Sequence, residues 1–249
     1  VTEPGARRTS ESLALALLLA TGAGAIEAYS IVVLGAFAGA QTGNIVLGSI
    51  ELSKLHWAAA VRYGIPIIAF IGGVLLASSL RTEPLLSLFR RPFRALLAVE
   101  LLTLVVVGFL PDSSPRLIAS ILITVTVASQ AATFRTLVDV GYNSAFTTGN
   151  LMNVIGMAHT AIVKRDHAAA VHARRVGIVI CFYTVGAIVG AVCSREFGRH
   201  GVWAAAVLLA AALGLFISDE RSLRQSDPNR PEVSTPHRSR PSCAAAVRA

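Results

Sequence analysis

The chain has 249 residues, of which 54% are hydrophobic and 14% charged, with a mean hydropathy of +0.64 and a formal net charge of +8. A soluble domain of this length carries far more charge, so the composition excludes a water-exposed globule and assigns the chain to a bilayer. The basic excess is scattered over separate loops, which argues against a nucleic-acid surface and for a topology signal.

Residues 1–12, with Arg7 and Arg8, read as a cytoplasmic N-terminus. A spanning helix needs about 20 mostly apolar residues, and six stretches fit or nearly fit: 13–34, 58–80, 95–110, 117–138, 173–193 and 202–218. The third and sixth are short and rely on snorkelling flanks, Arg94 and Arg221. The first stretch also resembles a cleavable signal peptide, with small residues at Ala23 to Ala25, but its apolar run continues past them. From Asp219 to Ala249 the chain turns rich in Arg, Ser and Pro and reads as a disordered cytoplasmic tail. With the N-terminus inside, sixteen Lys and Arg residues lie in the cytoplasm and five outside: Lys54, Arg62, Arg116, Arg195 and Arg199. That asymmetry predicts both termini in the cytoplasm.

A polar tripeptide interrupts this oily chain twice, in "AQTGNIVLGS" from Ala40 and "FTTGNLMNVI" from Phe146, with Asn44 and Asn150 separated by 106 residues. The same shift carries the first span onto the fourth and the third onto the sixth. It carries the second onto the fifth once a charged stretch, "VKRDHAAAVH", is allowed for. The chain therefore reads as an all-α membrane protein of six transmembrane helices in two three-helix repeats, 13–110 and 117–218. Three is odd, so the second repeat enters the membrane inverted. Each Thr-Gly-Asn is expected to mark a helix break or a short re-entrant helix. Thr42 and Thr148 would cap it, and Asn44 and Asn150 would sit in its first turn. Gly35, Gly39 and Gly43, echoed by Gly141, Ala145 and Gly149, read as a small-residue packing stripe. The bland alternative is a pair of tight turns at the membrane surface. Eight full spans would carry the Arg81 to Arg94 cluster outside, against the charge rule.

Ionisable residues within spans are costly and face an interior, a cavity or a partner. Glu27 lies deep in the first span and reads either as a lone protonatable carboxyl suited to proton coupling or as a protonated carboxyl hydrogen-bonded to a neighbouring helix. Glu100 either snorkels or joins Arg135 and Asp139, which stand one helical turn apart. The six His residues form no metal or catalytic spacing, no nucleophile elbow or phosphate loop is present, and the three Cys residues make no disulfide framework. Neither an enzyme nor a cofactor is expected.

"GAIEAYSIVVLGAFAGAQTGNIVLG", Gly24 to Gly48, resembles the N-terminal signature of the YoaK-like membrane proteins, a family of unknown function termed DUF1275. Glu27 stands where that signature usually has Asp. A second signature, a Gln followed by small residues, an Arg and a later Thr-Gly-Asn, matches Gln130, Ala131, Ala132, Arg135 and Thr148 to Asn150, with Ala131 in place of the usual Asn. The resemblance covers residues of about 10 to 218. It implies a bacterial inner-membrane protein and no established reaction.

The expected function is a permease or channel for a small polar or anionic solute. Thr42, Gly43, Asn44, Thr148, Gly149 and Asn150 would line its site, Gln130 would hydrogen-bond, and Glu27, Arg135 and Asp139 would carry charge or protons. The alternative is a non-transporting scaffold or homo-oligomer, assembled through glycine stripes such as Gly186-x-x-x-Gly190. An intramembrane enzyme comes third.

Overall fold

The computed structural model describes residues 12–79, 92–111, 113–134, 136–137, 140–141 and 147–226. Its helices are α1 (Leu13–Tyr29), continued by a π-helical turn Ser30–Leu34, α2 (Gln41–Ser53), α3 (Trp57–Ser79), α4 (Pro92–Phe109), α5 (Arg116–Thr133), α6 (Thr147–Val163), α7 (His167–Phe197) and α8 (Val202–Ser226). Between α5 and α6 the strands Thr136–Leu137 and Val140–Gly141 pair antiparallel as a minimal two-stranded sheet. Among the described residues, four stretches are long and apolar enough to cross a membrane: Leu13–Leu34, Trp57–Ser79, Arg116–Thr133 and His167–Leu215. The last contains α7 and the first part of α8, joined by a tight turn that seats Gly201 on the backbone of Cys193 and Ser194.

Local chemistry explains the boundaries. Ser12 caps α1 through its hydroxyl on the Leu15 N–H at 3.2 Å, and the Asp166 carboxylate caps α7 on Ala168 and Ala169. The charged stretch before the fifth span is thus mostly helix: α7 starts at His167 and has 31 residues, about 46 Å, well beyond a hydrocarbon core of about 30 Å. α8 also runs past residue 219, where composition had suggested a tail. Asp219, Glu220, Arg221 and Leu223 are compatible with helix, and α8 is described as far as Ser226. Residues 227–249 lie outside the described residues.

The side chains turn the usual pattern inside out. α6 buries Asn150 while exposing Leu151, Met152, Ile155, Ile162 and Val163, and α2 buries Asn44 while exposing Ile45, Val46 and Ile50. An apolar outer face around a buried amide is stable only where the surroundings are hydrocarbon. Hydroxyls on the helices fold back onto the preceding turn, as Thr21 on Leu17, Thr103 on Val99 and Thr184 on Ile180 do, so that they need no water.

One core runs through both halves of the chain, with Leu15, Leu19 and Ile26 of α1, Leu97 and Leu104 of α4, Ile123 and Val127 of α5, and Val202 and Leu209 of α8. The packing partners are reciprocal. α1 packs on α7 and α8, α5 packs on α3 and α4, α2 packs on α3, α6 packs on α7, and α4 meets α8. Exchanging α1–α4 with α5–α8 turns each of these contacts into another on the same roster. The two halves of the chain are therefore interlocked, α7 lying on α1 and α3 on α5.

Glycines set how closely those helices approach. A methyl group on Gly24 would overlap the Tyr183 carbonyl, one on Gly186 the Thr21 carbonyl, and one on Gly190 the Ala25 carbonyl. Because 21 faces 186 and 25 faces 190, α1 and α7 run parallel. Gly73 meets the Val125 carbonyl in the same way, and the Ser129 hydroxyl lies 2.9 Å from the Gly73 carbonyl, tying α5 to α3. Ala60, Arg62, Gly64, Gly73 and Ala77 of α3 align at one constant offset with Ala173, Arg175, Gly177, Gly186 and Gly190 of α7. Gly186 and Gly190 thus serve contacts within the chain.

Candidate functional site

The first Thr-Gly-Asn lies in the first turn of α2, directly after a true break in the helix. The chain leaves the π-turn at Gly35, whose φ of 71° is the left-handed conformation that glycine adopts without a Cβ clash, and helix resumes only at Gln41. Gly35 and Gly39 consequently lie in irregular backbone, and the expected helical packing stripe does not form. Gly141 sits in a two-residue strand and Ala145 lies outside the described residues, so the second copy shows no helical stripe either.

Irregular backbone within a membrane has to find its partners inside the protein, and this one does. Glu27, reaching up from α1, accepts from the Gly39 N–H (2.8 Å) and the Ala40 N–H (3.1 Å) at the entrance to α2. Asn44, with 0% exposure, accepts from the Phe37 N–H at 2.9 Å and donates to the Phe37 carbonyl at 2.8 Å. Its amide also donates to the Gln41 side chain at 2.9 Å, and Gln41 in turn donates to the Ala38 carbonyl at 2.8 Å. Arg62 of α3 closes the set with a 2.7 Å bond to the Leu34 carbonyl.

The residues expected to line a site therefore divide. Asn44 lies in the first turn of α2 but faces the break, and Gly43 packs on the Phe37 ring. Thr42 does not cap α2: the cap position is Ala40, with no side-chain cap bond, and a carboxylate from another helix takes that role. Asn150 is the fourth residue of α6, as Asn44 is of α2, and is 2% exposed, whereas Thr148 and Gly149 face outward. Arg135 and Asp139 lie outside the described residues.

Glu100 does not snorkel. It is 0% exposed on α4, and Gln130 on α5 is 1% exposed. With its amide oriented to satisfy both groups, the Gln130 nitrogen donates to Glu100 Oε1 at 2.6 Å and Oε2 at 3.0 Å. This pair stands apart from the Glu27 cluster, and sequence reasoning had not joined the two residues. Gln41, Arg62 and the Phe37 main chain were missed as well. The only sequence signal for them is the density of polar and small residues just after an apolar run. Among the described residues, no three His, Cys, Asp or Glu side chains gather closely enough to hold a metal ion.

Beside the break lies a cavity of about 400 Å³, bounded by Leu34 and Ala36, the first turns of α3 with Arg62, and the N-terminus of α5 with Arg116 and Ser120. Chemically, the region offers backbone N–H groups already holding one carboxylate, two guanidinium groups, and a hydrophobic floor.

No curated protein and no solved structure matches this chain. A family model described as protein of unknown function, DUF1275, matches residues 15–215, most of the chain, and the protein belongs to that family.

Proposed function

We propose that this protein is a permease or channel for a small polar or anionic solute in a bacterial inner membrane. It has six spans, both termini in the cytoplasm, and two inverted three-helix units. The observation that carries the proposal is the reciprocal packing of α1–α4 and α5–α8 around one core, with a short inside-out helix in each half. α2 has 13 residues, about 20 Å, and is too short to cross a hydrocarbon core of about 30 Å. It enters and returns, which is how transporters with inverted repeats build their solute sites.

Glu27 supplies a mechanism. Its carboxylate occupies the N–H groups of Gly39 and Ala40 at the start of α2, where the helix dipole favours negative charge. An anionic solute competes for the same donors, and a proton on Glu27 releases them. Binding of solute and proton are thereby coupled at one helix entrance. The scaffold reading is favoured by a different observation, the complete burial of Asn44 and its internal hydrogen bonds.

The test is labelling of single cysteines at positions 44 and 150 in a cysteine-free background, from each side of the membrane. Reaction of 44 from outside and 150 from inside supports the inverted permease. Reaction of both from one side rules out the inversion, and inertness of both favours the scaffold.

A further inference from the structure

We infer that the cavity between the Leu34 to Ala36 turn, the start of α3 and the start of α5 binds an organic anion with an apolar body, its charged head held by Arg62 and Arg116. The inference rests on the membrane reading above but not on transport. At about 400 Å³ the cavity falls within the size range of small-molecule sites. Ala58, Val61, Ile65 and Leu117 give it an apolar wall, and no Asp or Glu is among its described lining residues. Two guanidinium groups, with no acid among the described lining residues, make an electropositive mouth.

Three features make this a built site and not a chance pairing of surface arginines. The Arg62 head is fixed by its bond to the Leu34 carbonyl, which uses one of the five guanidinium N–H donors. Gly35 makes room for that head, since a Cβ there would strike the Arg62 guanidinium. Ser120 is 7% exposed, lines the cavity, and has no hydrogen-bond partner among the described residues. The first residue of α5 is Arg116, so the unpaired N–H groups of a helix start lie beside the same space. An apolar wall with a cationic mouth selects a carboxylate or phosphate carried on a hydrocarbon body over a fully hydrated inorganic ion. That chemistry is shared by a free organic acid and by an anionic lipid headgroup.

The experiment is equilibrium binding of fluorobenzoate, read by fluorine NMR, to the full chain in phosphatidylcholine nanodiscs, repeated with phosphatidylglycerol added. Saturable binding is expected, weakened about tenfold in Arg116→Gln and in Arg62→Gln, each of which removes one charge-assisted contact. Arg116 is exposed at a helix start, so its replacement leaves the fold intact whatever happens at Arg62. Competitive displacement by phosphatidylglycerol assigns the site to a lipid headgroup, and indifference to it assigns the site to a free acid; both support the cavity. Binding that is unchanged in both variants, or absent in both lipids without phosphatidylglycerol retention, overturns it. Because the readout is binding alone, its failure leaves the cysteine-labelling result for the permease standing.

Discussion

The Asn44 carboxamide and the Phe37 main chain pair in both directions, oxygen to N–H and nitrogen to carbonyl, across seven residues. A side chain here stands in for the neighbouring strand that irregular backbone lacks. That exchange is what lets the chain break at Gly35 without leaving Phe37 unsatisfied.

Asn44→Ala removes both partners of Phe37 and leaves two partly buried backbone groups unpaired. Each such group costs about 1–3 kcal/mol, so the variant is expected to lose about 2–6 kcal/mol. Thermal unfolding in detergent checks this, with Asn44→Asp, which keeps an acceptor and loses both donated bonds, falling in between. An unchanged midpoint for Asn44→Ala removes the clamp role.

Glu27→Leu is expected to free the Gly39 and Ala40 amides, which then exchange with deuterium faster than in the parent while the α1 amides do not change. Glu27→Gln retains one acceptor oxygen and should give partial protection. Equal exchange in all three proteins would show that the carboxylate does not hold the entrance to α2.

Gly186→Ala pushes a methyl group into the Thr21 carbonyl, and the overpacking should cost about 1–3 kcal/mol. Gly177, in the same helix, has open space around its missing side chain. Gly177→Ala should therefore be neutral or stabilising by about 0.5–1 kcal/mol through helix propensity. Comparing the two melting midpoints separates close packing from propensity.

Glu100 and Gln130 should couple in a double-mutant cycle of Glu100→Gln and Gln130→Leu, with an interaction energy of about 0.5–3 kcal/mol. Gln130→Leu alone is the more damaging single change, because it strands a carboxyl inside the core. Strict additivity of the two changes would mean that they do not interact.

Composition and hydropathy determined the solvent, and with it the helices. Apolar runs of membrane length leave a chain no other way to satisfy its backbone, so each apolar run is helical, although α7 begins six residues earlier and α8 runs eight residues further than the runs themselves. The duplicated Thr-Gly-Asn marked both short helices, since a Gly and an Asn after an apolar run are poor choices for a continuous span. Which polar groups meet was decided only by tertiary packing. Glu27 looked solitary because its partners are main-chain N–H groups, which every sequence contains and none displays. Glu100 and Gln130 lie on different helices, and only the crossing of α4 and α5 brings them within 3 Å. The glycines of α7 could have faced lipid, a second copy or the chain itself. The parallel seating of α1 in their groove settles that they pack within the chain, because helix rotation is set by the neighbours that fill the core.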